Sequence, residues 1–447
     1  MEETSRIGRA PLCAAAGLAL ILFLTAGLAA QDRPLTLDDA VSLALERNEQ
    51  SLATREDEIA ANARVQRARS FFLPTLTSTS ALTRRPYERR ITVGESEVVI
   101  QRLLGLSETL SLSLTLFDAR SLSGLSAVKA QRNASLAAAA EDRRQLAFEV
   151  SQAFLATLGV AQVREASQRR FAFAAQNLEA AKARYAAGLA SVNDVTRAEL
   201  EYATAEVGVT QVQGEVETST LQLGYLLDAP EAVRGELVVP EFLIEAASAE
   251  AADVEALVEE ALARRLDVGS LRWTATARRH LAKEPLLRWV PSLSASGRYV
   301  MTNEAGFSGK TWNWNVGATL SWTFFDGLAR VADNKEQRAL ARLADLDLQA
   351  ATRRVDVEVR EALVSLANQR ASLKQAAAAQ EVAKKNAAET TELYRQGLAS
   401  ALEVADAIVS LFEAEVALVQ ERYGLGIAFL TLEAALGLDP FGKEPRT

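Results

Sequence analysis

The segments YAAGLAS (Tyr185–Ser191) and YRQGLAS (Tyr394–Ser400) are two copies of one motif, and they decide how the rest of the chain is interpreted. The glycine of each copy, Gly188 or Gly397, is suited to ending a helix because it tolerates left-handed backbone. The serine that closes each copy is suited to starting the next helix, because its hydroxyl can accept from a backbone N–H. Each motif therefore predicts a helical hairpin.

The duplication extends beyond the hairpins. LSLTLFD (Leu112–Asp118) returns as LSWTFFD (Leu320–Asp326), and LPTLT (Leu73–Thr77) is echoed by VPSLS (Val290–Ser294). The matches occur in the same order with a period of about 210 residues, which indicates an internal repeat. Each half is therefore predicted to contain a helix, two strands, and a long helix with its hairpin. We divide the chain into a signal peptide (1–30), a first repeat (31–228), a linker (229–253), a second repeat (254–440) and a C-terminal tail (441–447).

The first 30 residues have the pattern of an export signal. Two arginines precede an apolar run (10–30) that ends in small residues, and the polar segment QDRP (31–34) follows. This pattern predicts a signal peptide, with a mature chain that begins at Ala30 or Gln31. A membrane-anchoring helix is the alternative interpretation. The single cysteine, Cys13, lies inside this run, so thiol chemistry is not expected in the mature chain.

Four segments alternate between apolar and polar residues, as strands with one apolar and one polar face do. They are Pro74–Leu82, Leu106–Leu116, Pro291–Tyr299 and Asn313–Phe324. Their length of about 9–13 residues suffices to cross a bilayer when tilted, and after residue 31 we expect no apolar run of the roughly 18 residues that a spanning helix needs. The pattern favours a transmembrane barrel over the alternative, a sheet packed on a soluble core.

Four strands cannot close a barrel with a usable interior, and an open edge in lipid leaves backbone groups without partners. Two chains would supply about eight strands, whose interior is filled by side chains, whereas three would supply about twelve and leave a lumen. We therefore predict a homotrimer.

The rest of the sequence predicts long helices, because apolar residues recur at helical spacing. The predicted helices are Arg120–Gly188, Val192–Leu227, Leu328–Gln396 and Ala401–Leu436. A helix of some 65 residues extends for roughly 100 Å, so it favours a coiled-coil-like wall or stalk over a compact core.

This order of elements, present twice after a signal peptide, resembles the TolC-like outer membrane efflux protein family over essentially the whole mature chain. The residues that carry the resemblance are Tyr185–Val195, Tyr394–Val404, the strand ends Phe117-Asp118 and Phe325-Asp326, and the opening LTLDDAV (Leu35–Val41). The resemblance implies a mainly α fold with a membrane β-barrel. Three chains would form a twelve-stranded barrel in the outer membrane, continued by a helical tunnel in the periplasm.

The function that the resemblance implies is that of a passive exit duct in a tripartite efflux pump or a type I secretion system. The implied partners are further copies of the chain, outer-membrane lipid, a periplasmic membrane-fusion (adaptor) protein, and an inner-membrane pump of the RND, MFS or ABC type. The hairpin tips would dock the adaptor through Gly188, Leu189, Ser191, Gly397, Leu398 and Ser400.

A periplasmic gate is also implied, held closed by polar links between hairpins and lined by an acidic ring. Asp194 and Tyr394 match the linking positions, while Glu403 and Asp406 lie three residues apart and so on one helix face. Around a threefold axis they would place carboxylates on the bore that repel one another and attract cations; a solvated helix face is the alternative. Where the family can carry an arginine after the second glycine, this chain has Leu398-Ala399.

Other function classes have little support in the sequence. The net charge is −9 without a basic stripe, so nucleic-acid binding is not expected. No Ser/His/Asp grouping, phosphate loop or metal-ligand spacing predicts an enzyme, a cofactor or a metal, and the single histidine, His280, lies in a basic stretch expected on an exposed helix face. The alternative function is a periplasmic helical adaptor or scaffold without pore activity.

Overall fold

The computed structural model describes residues 34–93, 95–248, 253–305 and 309–443. The predicted signal peptide lies outside these residues. The described chain divides into two compact units, each built from both halves of the sequence. We call 34–52, 142–248, 253–264 and 356–443 the helical unit, and 53–93, 95–141, 265–305 and 309–355 the strand-bearing unit.

Ten α-helices and six strands are present in the described residues. The helices are α1 (Leu37–Arg47), α2 (Glu49–Ser70), α3 (Ala119–Ala186), α4 (Val192–Leu227), α5 (Glu241–Ser248), α6 (Val254–Arg264), α7 (Leu266–Leu281), α8 (Glu284–Leu287), α9 (Ala329–Arg395) and α10 (Ala401–Ala435). The strands are β1 (Thr75–Arg84), β2 (Arg89–Val93), β3 (Ser96–Gln101), β4 (Leu104–Phe117), β5 (Ser292–Thr302) and β6 (Trp312–Ser321).

The four long helices and the four strands that the sequence predicts are all present, with small differences at their ends. The largest differences are of three residues: β5 continues to Thr302 instead of ending at Tyr299, and β6 ends at Ser321 and not at Phe324. Ser321 pairs with Ser292, the first residue of β5, and the preceding Pro291 has no N–H with which to extend the ladder. The β2–β3 hairpin and the short helix α5 within the predicted linker were not predicted.

The strand-bearing unit holds a four-stranded antiparallel sheet in the order β1-β4-β5-β6. The pairing register puts Leu76, Leu112, Gly297 and Val316 in one row, and Thr77, Ser111, Arg298 and Asn315 in the next. Since successive rows face opposite sides, one face of the sheet is mainly apolar and the other is mainly polar. Within the described residues, β1 and β6 have a paired strand on one side only, so both are open edges.

One carboxylate lies on the apolar face. Glu108 lies on the same face of β4 as the leucines of that strand. Each of its carboxylate oxygens accepts a hydrogen bond from a serine hydroxyl of β1, one from Ser78 and one from Ser80. These two serines interrupt the apolar pattern of β1, which explains why the alternation of that strand is weak in the sequence. The hydrogen-bonding groups of these three side chains are paired with one another, as polar groups placed on an apolar face require.

Glu304, in the turn between β5 and β6, contacts the two residues that flank the β2–β3 hairpin. Its Oε1 accepts from the backbone N–H of Arg102 at 2.9 Å, and the carboxylate also pairs with the guanidinium of Arg85. Burial alone would raise the pKa of Glu304, but the Arg102 N–H and the Arg85 guanidinium outweigh it and lower that pKa below its ordinary value. The β2–β3 hairpin is thereby joined to the β5–β6 turn.

An aspartate stands between each strand pair and the long helix that follows it. Asp118 accepts from the backbone N–H and the guanidinium of Arg120, all at 3.0 Å. Asp326 accepts from the backbone N–H of Arg330 at 3.1 Å and from its Nε at 2.7 Å. The repeated Phe-Asp motif of the sequence is therefore the start signal of α3 and α9, in which a carboxylate satisfies N–H groups of the first turn.

The core of the helical unit is formed where α3, α4 and α10 meet α1. Its largest fully buried side chains are Leu146, Phe154, Leu155, Leu223, Leu227, Leu430 and, from α5, Leu243. Close approach of α10 is possible because Gly426 has no Cβ, which would lie 3.0 Å from Cδ1 of Leu155. One 18-residue stretch of α3 is apolar enough, by length and composition alone, to cross a membrane, contrary to the expectation from the sequence. Half of that stretch is buried within the chain.

We expect Leu155→Ala to lower the free energy of unfolding by about 3 kcal/mol, because it removes buried contacts and leaves a cavity against α10. Denaturant unfolding of the purified protein, followed by helical circular dichroism, measures the change. Leu200→Ala is the matched control, since Leu200 is exposed on α4. Equal effects of the two substitutions would contradict this account of the core.

Candidate functional site at the helical hairpins

The two predicted hairpins have the same turn geometry. Gly188 and Gly397 adopt left-handed φ values of 75° and 79°. In the first hairpin the N–H of Gly188 donates to Tyr185 O at 2.9 Å and that of Leu189 to Arg184 O at 2.9 Å. The second hairpin repeats this pair of bonds, at 3.1 and 2.8 Å. This is the glycine-ended helix cap that the motif predicts, and it satisfies the last carbonyls of α3 and α9.

The returning helices begin with reciprocal capping boxes. Oδ2 of Asp194 accepts from the N–H and the hydroxyl of Ser191, both at 2.9 Å, while Ser191 Oγ accepts from the Asp194 N–H at 3.3 Å. Glu403 and Ser400 make the same three bonds at 2.7, 2.9 and 3.3 Å. Asp194 and Glu403 therefore hold the turn of their own hairpin, a role that the sequence analysis did not assign to them.

The charge of Glu403 is stabilised by this cap. The backbone N–H and the hydroxyl of Ser400 donate to its carboxylate and lower the pKa of Glu403 below its ordinary value. Glu403 and Asp406 are both exposed and lie three residues apart on α10. The structure thus places the two predicted acidic residues on one accessible helix face.

Tyr394 contacts Arg184, in the last turn of α3, within the same chain. Its ring lies 4.2 Å from the guanidinium carbon of Arg184. The polar link between neighbouring hairpins through Asp194 and Tyr394 stays a prediction. Arg184 Nη2 also donates to Tyr394 O at 3.0 Å and to Arg395 O at 3.4 Å. A cation over an aromatic ring and beside the final carbonyls of a helix is favourable in both respects. Arg184 therefore joins the two hairpins of one chain.

Sequence reasoning missed Arg184 because the two hairpin motifs were compared only from their tyrosines onward. The residue that precedes Tyr185 is Arg184, and the residue that precedes Tyr394 is Leu393. This difference between otherwise matching segments was the available signal.

The hairpin tips expose leucines. Leu189 is 78% exposed and Leu398 is 72% exposed, and Val192 beside the first turn is also exposed. No group of three or more His, Cys, Asp or Glu side chains in the described residues could hold a metal ion.

Comparison with known proteins decides the family. The chain matches the model of the outer membrane efflux protein family over residues 40–228 and 257–438. It belongs to that family. This confirms the predicted family and the predicted function in efflux at the outer membrane, and no match supports the alternative of a periplasmic adaptor.

Solved structures confirm the predicted fold class. VceC from Vibrio cholerae, an outer membrane protein, is 18% identical with a TM-score of 0.73, over 90% of this chain and 96% of VceC. A membrane protein from Pseudomonas aeruginosa is 22% identical with a TM-score of 0.75, over 90% and 93%. The CmeC outer membrane channel of Campylobacter jejuni is 17% identical with a TM-score of 0.77, over 92% and 87%. A comparison with the curated proteins found no match.

We expect Arg184→Ala to loosen the hairpins and to speed amide hydrogen exchange at the ends of α3 and α9 by roughly two- to five-fold, the loss of one partly exposed cation–π contact. Arg184→Lys should recover only part of the protection, because an ammonium lacks the planar fork of the guanidinium. Exchange measured by mass spectrometry on the detergent-purified protein gives the result.

Lys182→Ala is the control for this experiment. Lys182 lies on the same turn of α3, and its pair with Glu179 at 3.5 Å is solvent-exposed and contributes little. Unchanged exchange in Arg184→Ala would show that Arg184 does not hold the hairpins together.

Proposed function

We propose that three copies of this chain form a passive channel through the outer membrane, which serves as the exit duct for cargo driven by an inner-membrane pump. The observation that carries the proposal is the pair of open edges, β1 and β6, on a sheet with one apolar and one polar face. Such a sheet suits lipid only if its edges are paired, because unpaired backbone groups in hydrocarbon cost several kcal/mol each.

Pairing between copies closes the sheet without new strands. Strand direction alternates across β1-β4-β5-β6, so β6 of one copy runs antiparallel to β1 of the next. Three copies supply about twelve strands, enough for a lumen, whereas about eight strands enclose an interior filled with side chains. The apolar face then contacts lipid and the polar face lines the lumen, the arrangement of outer-membrane barrels.

The helical hairpins are the proposed periplasmic end of the duct. Their exposed leucines, Leu189 and Leu398, would dock a periplasmic adaptor protein, and the adjoining Gly188, Ser191, Gly397 and Ser400 shape the two tips. Binding energy at a protein interface is concentrated in a few apolar anchors that fill pockets of the partner. The adaptor would in turn connect the duct to the pump, which supplies the energy.

The exposed pair Glu403 and Asp406 is the proposed acidic ring of the gate. Three copies would bring six carboxylates to the bore, where they attract cations. Because Arg184 already stacks on the ring of Tyr394 in the same chain, we propose that the two hairpins of each chain move as one pair. Opening would then separate neighbouring chains rather than the two hairpins of one chain.

The first experiment measures the oligomeric state and the single-channel conductance of the detergent-purified mature protein. We expect a heat-sensitive trimer that forms pores in planar bilayers, since only closure between copies satisfies the edges of β1 and β6. A monomer that stays soluble without detergent and forms no pores would refute the channel and would favour a periplasmic scaffold instead.

The acidic ring is tested by Asp406→Asn, which removes a charge without touching the capping box of Ser400. We expect weaker block by trivalent cations and lower cation selectivity, and a larger loss when Glu403→Gln is added. Glu217→Gln, on an exposed turn of α4 distant in sequence from both hairpins, is the charge-matched control. If trivalent cations block the Asp406→Asn channel as they block the original, the ring does not exist.

A further inference from the structure

The polar face of the four-stranded sheet is almost free of charge. It consists of Thr75, Thr77, Thr79, Ala81 and Thr83 on β1; Gly105, Ser107, Thr109, Ser111, Ser113 and Thr115 on β4; Ser292, Ser294, Ser296, Arg298, Val300 and Thr302 on β5; and Asn313, Asn315, Gly317, Thr319 and Ser321 on β6. Among these residues Arg298 is the one ionisable side chain. Hydroxyls and amides line most of the rest of the face.

Arg298 lies in the middle of β5 and of the sheet. Its cross-strand partners are Ser111 on β4 and Asn315 on β6, and neither can neutralise a guanidinium. The side chain is exposed and forms no ion pair with the described residues. On β6 the diagonal neighbour Gly317 has open space where a Cβ would stand, so the guanidinium has room to extend over the face.

The carboxylate of the same four strands cannot compensate this charge. Glu108 lies on the opposite, apolar face, where Ser78 and Ser80 occupy both of its oxygens. The sheet therefore separates Glu108 from Arg298, with the negative charge held by hydroxyls on one side and the positive charge unpaired on the other.

We propose that Arg298 is the selectivity-determining residue of the strand-lined part of the channel, and that it favours solutes that carry carboxylate, phosphate or sulfate groups. This inference rests on the proposed trimeric pore, in which three copies of Arg298 form a ring on the lumen wall. Low-dielectric walls focus the field of such a ring, and rings of arginine or lysine select anions in known pores. The guanidinium also presents a fork that matches carboxylate and phosphate oxygens.

The acidic pair proposed at the hairpins has the opposite sign, so the preference of the whole channel is the net of two charged rings. The contribution of Arg298 is therefore measured as the change in ion selectivity between the original channel and a variant without that charge. At about 0.1 M salt the Debye length is about 10 Å, and a unit charge at that distance changes the local ion ratio by about two-fold. At about 1 M the Debye length falls to about 3 Å and the difference should shrink.

The experiment compares Arg298→Gln and Arg298→Glu with the original channel in planar bilayers. Reversal potentials across a potassium chloride gradient near 0.1 M give the chloride-to-potassium permeability ratio. We expect this ratio to fall by about two-fold or more for the glutamine and further for the glutamate. Inorganic tripolyphosphate should block the original channel and not Arg298→Gln.

Arg84→Gln is the matched control, because it removes the same charge from the same sheet on the opposite face, in the row of Leu104. It should leave both the permeability ratio and the tripolyphosphate block unchanged. If Arg298→Gln does not assemble, Asn315→Asp tests the same idea, since a carboxylate directly opposite Arg298 neutralises it in place.

The outcomes separate this inference from the proposed function. Wild-type protein that forms no pores defeats the channel itself. Pores whose ratio and block are the same with and without the Arg298 charge leave the channel intact and overturn the selectivity role. Loss of both properties in Arg298→Gln or Asn315→Asp, with the Arg84→Gln control unchanged, supports it.

Discussion

Backbone N–H and C=O groups along the outer edges of β1 and β6 have no partners within the described chain. In water such edges are a liability, and in lipid they are not tolerated, because every unsatisfied group costs free energy that nothing nearby returns. The same two strands expose all of their residues on both faces, so neither face of an edge strand is covered by the chain's own helices. In the proposed channel, pairing between copies meets this requirement and encloses the lumen at the same time.

The helical unit meets its backbone requirements locally. Each hairpin satisfies the last carbonyls of one helix through a left-handed glycine and the first N–H groups of the next through a serine and an acidic residue. Because these bonds are complete within each hairpin, the turn does not depend on a neighbouring chain for its shape. A tip of fixed shape with exposed leucines is suited to docking, since little ordering entropy is lost on binding.

Much of the fold could be predicted from the sequence, because its determinants are local. Alternation specified the four strands of the larger sheet, helical spacing specified α3 and α9, and the glycine and serine of YxxGLxS specified both hairpins to within two residues. Non-local contacts could not be read in the same way. The stacking of Arg184 on Tyr394 and the binding of Glu108 by Ser78 and Ser80 join residues that only the folded chain brings together.

The duplication separates what the fold needs from what each copy adds. Glycine, serine and the acidic capping residue are kept in both hairpins, because the turn fails without them. Three charged residues with a proposed functional role have no like counterpart in the other half of the chain: Arg184 matches Leu393, Asp406 matches Arg197, and Arg298 matches Ala81. The hairpin turn itself requires neither Arg184 nor Asp406, because the copy that lacks each of them adopts the same turn. Arg184 therefore acts between the hairpins and not within one turn, and Asp406 and Arg298 are free to set the charge of the proposed channel.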